Sequence, residues 1–512
     1  MNPIHFKRFV PFILLISVLF TRGCDDKWGE HYDPESFNLP DKTLQEYIQE
    51  DPGLTIFSKM LVITGFDKIL DASQSYTVWA PVDEALQGVD TTDTELVLEI
   101  VRNHIARSRI TTSGMETQSV RMLNGKYIHF AREASGYSFG NVHVKEINLS
   151  AINGLVHVID GYVPYSDNLW EYIGRTENLD SLRSYLYGQS KLVFDPVNSV
   201  EIGVNSEGQP IYDTAFILTN KVLERLGAID SEDSIYTAIL PDNTAWDEAY
   251  GRIESYFNFP EDAGSIRRQR QLTQWTLVQD MLFPGRVTQP ESLDSLVTTT
   301  GNVFYNPGSL FSNTEPVELS NGLACVTDQM PYADTDSWFK EIRIEAEEKE
   351  GRENNNCNLF LRTSFGSGLE VSDNRYILVD PTSPQPGVEF SIPNTLSAKY
   401  NIYCVFVPSS IVDPLNTIPT KAKFVLTYIR RASGSTFIQR ITPQNNVTNP
   451  NGMTKMLVTQ FDFEYANIID EDYRRVAVKL EVINDVTTVE EQAGDYTMTM
   501  RIDCIILEPV LE

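Results

Sequence analysis

The chain has 512 residues, room for roughly three domains at about 100–200 residues each, so a single small module is excluded. Lys and Arg number 41 against 71 Asp and Glu, a formal charge of −30, which excludes a protein that tracks nucleic-acid phosphates or lies on a bare anionic membrane. Hydrophobic residues at 41% and aromatics at 11% exclude a disordered chain.

At the N-terminus a basic pair, Lys7 and Arg8, precedes an apolar run over 10–20. That run is too short to cross ~30 Å of hydrocarbon and suits the core of an export signal. Cys24 follows Gly23 and precedes Asp25 and Asp26. This arrangement resembles a bacterial lipoprotein signal, in which the cysteine is diacylated and becomes the first mature residue, and the acidic pair resembles the surface-export signal of Bacteroidota lipoproteins. Thr21 and Arg22 depart from that motif, and an ordinary secretory signal is the alternative. The expectation is a signal over 1–23, a tether over 24–40 and a lipid-anchored protein exposed on the outer membrane.

The next elements occur twice. Leu44-Gln45-Glu46-Tyr47-Ile48 returns as Leu169-Trp170-Glu171-Tyr172-Ile173, Tyr76-Thr77-Val78-Trp79-Ala80-Pro81 as Tyr236-Thr237-Ala238-Ile239-Leu240-Pro241, and Asn153-Gly154-Leu155-Val156-His157-Val158 as Asn321-Gly322-Leu323-Ala324-Cys325-Val326. Each copy closes at a proline, Pro164 or Pro331. The second copy holds an insertion, expected over 191–214 with its turn at Asn205-Ser206-Glu207-Gly208. Leu44, Ile48, Leu54, Phe57 and Leu61 approximate helical spacing. Tyr76 to Trp79 reads as an apolar strand stopped by Pro81, with Asp83, and Asn243 in the second copy, as N-caps of the helices that follow. Asn153-Gly154 reads as a turn into a strand buried on both faces. Each copy is thus an α+β unit.

These segments resemble the two signatures of the fasciclin domain, an extracellular adhesion fold of a β-wedge with packed helices. Asn103-His104 and Leu123-Asn124-Gly125 also stand where that family carries a helical His and a Leu-Asn-Gly turn. The resemblance implies a first domain over 41–165 and a divergent second over 166–335, where Met281 and Cys325 replace His104 and His157. It also implies an adhesion surface at Asn103 and His104. The alternative is that His104 and His157 are interior histidines bracing strand and helix.

From Trp338 onward, short alternating strands are expected over 342–347, 387–392, 400–407, 422–428, 456–463, 477–482 and 496–507, the pattern of an all-β sandwich. Arg343-Ile344-Glu345-Ala346-Glu347-Glu348 and Arg501-Ile502-Asp503-Cys504-Ile505-Ile506-Leu507 resemble the opening and closing strands of a carbohydrate-binding jelly roll. That resemblance implies a jelly-roll-like domain over 336–512 and a structural calcium ion on Glu345, Glu347 and Asp503, hard oxygen donors of the kind calcium takes. The alternative is solvated strand carboxylates.

No histidine stands in 158–512, so that stretch builds neither a Ser-His-Asp triad nor a His-containing zinc site from its own residues. Cys325, Cys357, Cys404 and Cys504 form two disulfides or remain buried thiols. No phosphate-binding glycine loop, zinc helix or nucleophile elbow appears, and beyond the possible calcium no cofactor is expected. The expected architecture is therefore multidomain, two α+β fasciclin-like domains and then an all-β jelly-roll sandwich. The expected function is non-enzymatic: adhesion or ligand binding to a glycan, a matrix polymer or an outer-membrane partner, with no nucleic acid and a membrane tie through lipid. A runner-up is an accessory lipoprotein of a TonB-dependent glycan-uptake system. A carboxylate-dependent glycan hydrolase is the alternative of another class.

Overall fold

A computed structural model describes residues 40–114, 116–195, 200–204, 210–213, 215–262 and 264–511. The export signal, Cys24, most of the tether and the turn at 205–208 fall outside the described residues. Among those described, no helix is long and apolar enough to cross a membrane. The chain divides into two compact units, 1–166 and 167–512.

The N-terminal unit is built on a seven-stranded sheet in the order Ile105–Ala106, Tyr76–Pro81, Gly154–Ile159, Val142–Ala151, Gly136–Phe139, Tyr127–Glu133, Thr117–Arg121. The two signature strands pair in parallel with Trp79 opposite His157, and all six residues of each are buried. Alternation along them serves two cores. Val78, Ala80, Val156 and Val158 face the helices Leu44–Glu50, Thr55–Thr64 and Thr94–Asn103, with Leu44, Ile48, Phe57 and Leu61. Trp79 and Ile159 face the other way, onto Phe130, Phe139 and Val144.

Two capping expectations change. Asp83 does not cap the helix it opens: its carboxylate accepts from Ile56 N (2.7 Å) and Thr55 Oγ1 (2.6 Å) at the start of Thr55–Thr64. Asn243 does the same in the second copy, accepting from Ser181 N (3.0 Å) at the start of Asp180–Gly188, while Asp242 caps the following helix through Ala245 N (2.8 Å). Each copy therefore fastens one helix to the end of its first signature strand, across 27 and 62 residues of sequence.

The second signature is also a tie. Asn153 Oδ1 accepts from Leu44 N (2.8 Å) and its amide donates to the carbonyls of Leu70 (2.6 Å) and Ala72 (2.7 Å). Asn321 repeats this with Leu169 N (2.8 Å), Ile229 O (2.8 Å) and Ser231 O (3.1 Å). The repeat is thus kept in hydrogen bonds as well as in letters.

In the second unit this repeat makes a four-stranded sheet, Leu282–Pro284, Tyr236–Pro241, Gly322–Thr327, Pro316–Leu319, again with its two signature strands parallel. The insertion forms two strand pairs, Ser190–Phe194 with Phe216–Asn220 and Val200–Val204 with Pro210–Asp213. The C-terminal part is a sandwich. One sheet runs Cys357–Thr363, Arg375–Pro381, Met500–Pro509, Lys399–Phe406, Thr454–Asp462, with Ile342–Glu345 also on Met500–Pro509; the other runs Arg352–Asn355, Gly387–Ser391, Lys479–Asn484, Ala422–Ile429, Thr436–Ile441. All pairs in both sheets are antiparallel, and Phe390, Ile402, Phe406, Phe424, Leu480 and Ile502 fill the core. Cys325, Cys357, Cys404 and Cys504 are buried free thiols, so the two-disulfide alternative falls.

The expected boundary at 335/336 lies inside this one unit, where a single buried cluster runs from Leu169 to Leu507. Tyr256, Phe339, Tyr400 and Phe463 form a chain of ring contacts at 5.0, 5.3 and 5.9 Å. Asn258 bonds the backbone of Glu464 and Ala466. Arg268 is the clamp: its guanidinium lies 4.3 Å from the Phe259 ring and 3.8 Å from the Tyr473 ring, pairs with Asp470 at 2.9 Å and donates to Ile468 O. Arg268→Ala strips the half-buried Asp470 of its partner and empties the slot between the rings, an expected loss of about 3 kcal/mol. Calorimetric melting of the full chain checks this, and Arg268→Lys restores little, because an ammonium does not stack as a plane.

Candidate carboxylate site and interior histidines

The strand Ile342–Glu345 lies on Met500–Pro509 with Glu345 opposite Cys504, which brings acids from near the two ends of the sandwich sequence together. One ligand atom each from Glu345, Asp503 and Cys504 lie within 4.8 Å of one another. Asp503 is 2% exposed; its Oδ1 accepts from Ser372 N (3.1 Å), while Glu345 Oε1 accepts from Ser372 Oγ (2.7 Å). Oε2 of Glu345 and Oε2 of Glu347 are buried without a donor.

Burial, with the charges of Glu345 and Glu347 added, pushes the Asp503 carboxyl up to about 7, and burial likewise raises Glu345. A carboxylate raised this far destabilises the fold as pH climbs from about 4 to 7 and it ionises. Burial pushes the Cys504 thiol up to about 12, so it offers no thiolate near neutrality. The donors that remain are hard oxygens, two of them orphaned, and they fit a calcium-class cation rather than a thiophilic metal. Of the three expected ligands, Glu345 and Asp503 come together directly, and Glu347 stands close enough for its charge to raise both. Ser372, far from either acid in sequence, carries no signal that would have singled it out.

Asn103 and His104 do not form a surface. They are 2% and 0% exposed, and they close the end of the helix Thr94–Asn103. Asn103 donates to Val163 O (3.0 Å) and accepts from Asn124 (2.9 Å) of the Leu-Asn-Gly turn. His104 Nδ1 meets Ile100 O (2.7 Å) and Nε2 accepts from Val163 N (3.0 Å), which fixes a neutral ring. His157 is fixed likewise, Nε2 on Ile110 O (3.1 Å) and Nδ1 taking Asn148 N (3.3 Å), with its ring 5.4 Å from that of Trp79. Burial lowers both histidines to about 4.

Residues 52–163 match the fasciclin domain family, so the N-terminal unit carries a fasciclin domain, followed in the chain by a largely β C-terminal region. Among solved structures, a FAS1 domain pair from the insect cell adhesion molecule fasciclin I is 13% identical, covering 56% of this chain and 98% of that one with a TM-score of 0.21. A family 35 carbohydrate binding module from Clostridium thermocellum is 7% identical over 33% of this chain and 99% of that one, TM-score 0.19. A Clostridium thermocellum endo-1,4-beta-D-xylanase chain is 14% identical over 34% of this chain and 29% of that one, TM-score 0.23. No curated protein matches. With TM-scores this low, the fold rests on the strand order and core described above.

Proposed function

We propose that this protein is a cell-surface adhesion or ligand-binding lipoprotein that holds a glycan, matrix polymer or outer-membrane partner without chemical turnover. The observation that carries the reading is the fasciclin domain at residues 52–163. The sandwich supports a glycan as the ligand through the likeness of its opening and closing strands to carbohydrate-binding jelly rolls. Anchorage through Cys24, and a calcium ion held by Glu345, Glu347 and Asp503, belong to the same proposal. Its test is a glycan array probed with the purified chain: retention on at least one polysaccharide class is expected, and silence across polysaccharides, matrix polymers and envelope extracts contradicts it.

The cation has its own expected result. Calcium at a hundredfold its dissociation constant stabilises the chain by about 2.7 kcal/mol, read as a rise in melting temperature. Glu345→Gln with Asp503→Asn abolishes that rise, yet leaves the calcium-free chain as stable or more so, because it removes buried charge that repels itself.

A further inference from the structure

The two copies of the repeat differ at one corner of their helical layer. In the first copy Met60, Leu86 and Val97 are buried in the helix-side core and Ile56 packs against it. The register that aligns Leu61 with Leu186, Pro81 with Pro241 and His104 with Met281 puts Tyr185, Trp246, Gln274 and Ser181 at those four places. Four apolar side chains are thus exchanged for four that carry hydrogen-bonding groups. The corner opens into a pocket of about 420 Å³, within the ~300–1,000 Å³ usual for small-ligand sites. Its walls come from the helices Asp180–Gly188, Asn243–Glu254 and Ser265–Val278, with Gln189 just beyond the first of them.

The rings of Tyr185 and Trp246 belong to the core: they are 8% and 5% exposed, with their centroids 5.9 Å apart. Their polar atoms do not. Tyr185 Oη and Trp246 Nε1 meet no hydrogen-bond partner among the described residues, yet neither is sealed from solvent. Each ring therefore turns a polar handle to the pocket.

The chemistry of the walls selects the ligand. The carboxylate of Asp180 is held by Arg183 and accepts from Asn243 Nδ2 (3.1 Å), and the chain's formal charge of −30 repels acids, so the ligand is neutral. Ser181, Ser184, Tyr185, Gln189 and Gln274 all bring groups that both donate and accept, which is what sugar hydroxyls require. Helical walls have spent their interior N–H and C=O groups, so they offer no strand edge to a peptide backbone, and the buried rings leave no apolar slot for a peptide side chain. We propose that this pocket is a glycan subsite, in which Trp246 Nε1 donates to the hydroxyls of a neutral sugar and Tyr185 Oη, Gln189 and Gln274 exchange hydrogen bonds with them. The proposal rests on the glycan reading above and places a contact on the second repeat copy rather than on the sandwich.

The test is affinity electrophoresis of the full chain in gels holding laminarin, galactomannan, xyloglucan, dextran, alginate or polygalacturonate, followed by amide hydrogen exchange with each polysaccharide that retains it. Retention by at least one of the four neutral polysaccharides is expected, with slower exchange in the three helices. Trp246→Phe and Tyr185→Phe keep the packing of each ring and remove one polar atom; combined with Gln274→Ala they are expected to weaken binding at least tenfold. Retention by none of the six overturns the subsite and counts against the glycan reading as well. Retention by a neutral polysaccharide that the triple variant preserves, or that leaves exchange in the helices unchanged, keeps the glycan reading and overturns the subsite. Retention confined to the two acidic polysaccharides, or equal protection of the helices by the peptide acetyl-Gly-Ser-Gln-Ser-Gly-amide, overturns it too. The exchange measurement on the unsubstituted chain decides the matter even where the triple variant folds poorly.

Discussion

Gly154→Ala is expected to unfold the N-terminal unit or to cost at least about 4 kcal/mol, a large share of the ~5–15 kcal/mol typical of a domain. The reason is space. A Cβ on Gly154 stands 2.0 Å from the carbonyl oxygen of Tyr76 and 2.8 Å from Cδ1 of Leu44, and the first of these neighbours is backbone held in the parallel ladder. Tyr76 N also donates to Asn153 O (3.1 Å), so the strand has no room to retreat without breaking the parallel pair of signature strands. Gly322→Ala meets the same obstacle in the second unit, with Tyr236 O at 1.8 Å. Because both sites follow from one repeated motif, chemical denaturation of the two variants should show losses of similar size, each in its own unit. A variant of either site within 1 kcal/mol of the parent means that the signature strands pair in another way.

Acidification is the second large effect. His104 and His157 titrate at about 4 in the folded unit against about 6.5 in an unfolded chain, so the unfolded chain takes up protons first as pH falls. Their stabilising contribution is complete above about 6.5 and is lost as pH drops toward 4, by roughly 3 kcal/mol per histidine. Protonation also turns Nε2 of His104 and Nδ1 of His157 from acceptors into donors, so Val163 N and Asn148 N lose their bonds. Urea midpoints of the N-terminal unit should therefore fall steeply between pH 6.5 and 4. The second unit contains no histidine beyond residue 157 and lacks this term. A flat profile for the first unit would place both rings in contact with water.

Several of these features were legible in the sequence and others were not. The signature strands and the fasciclin fold showed because apolar β-formers such as Tyr76 to Trp79 and Leu155 to Ile159 are buried on both faces and repeat. Asp83 and Asn243 were legible as caps, but the helices they cap lie elsewhere, since sequence adjacency does not reveal a bond that folding makes between distant segments. Asn153 read as a turn residue for the same reason, whereas its side chain links three backbone segments. In the sandwich the strands Arg352–Asn355, Cys357–Thr363 and Thr436–Ile441 went unread. All three lie at sheet edges, where exposure removes the alternation that marks a half-buried strand. Arg375–Pro381 was missed although its Ile377 and Val379 are buried; it ends in Asp380-Pro381, residue types disfavoured in strands. Glu345 and Asp503 were legible through the resemblance of their strands. Asn103 and His104 were misplaced because a family position says nothing about burial.

The most direct test of binding without turnover is to incubate the purified chain with a polysaccharide it retains, with and without calcium, and to measure bound protein and new reducing ends in the same samples. The account predicts saturable retention with no new reducing ends over days. Reducing ends that accumulate with the chain and vanish on substitution of a single Asp or Glu would contradict it and make the protein a hydrolase.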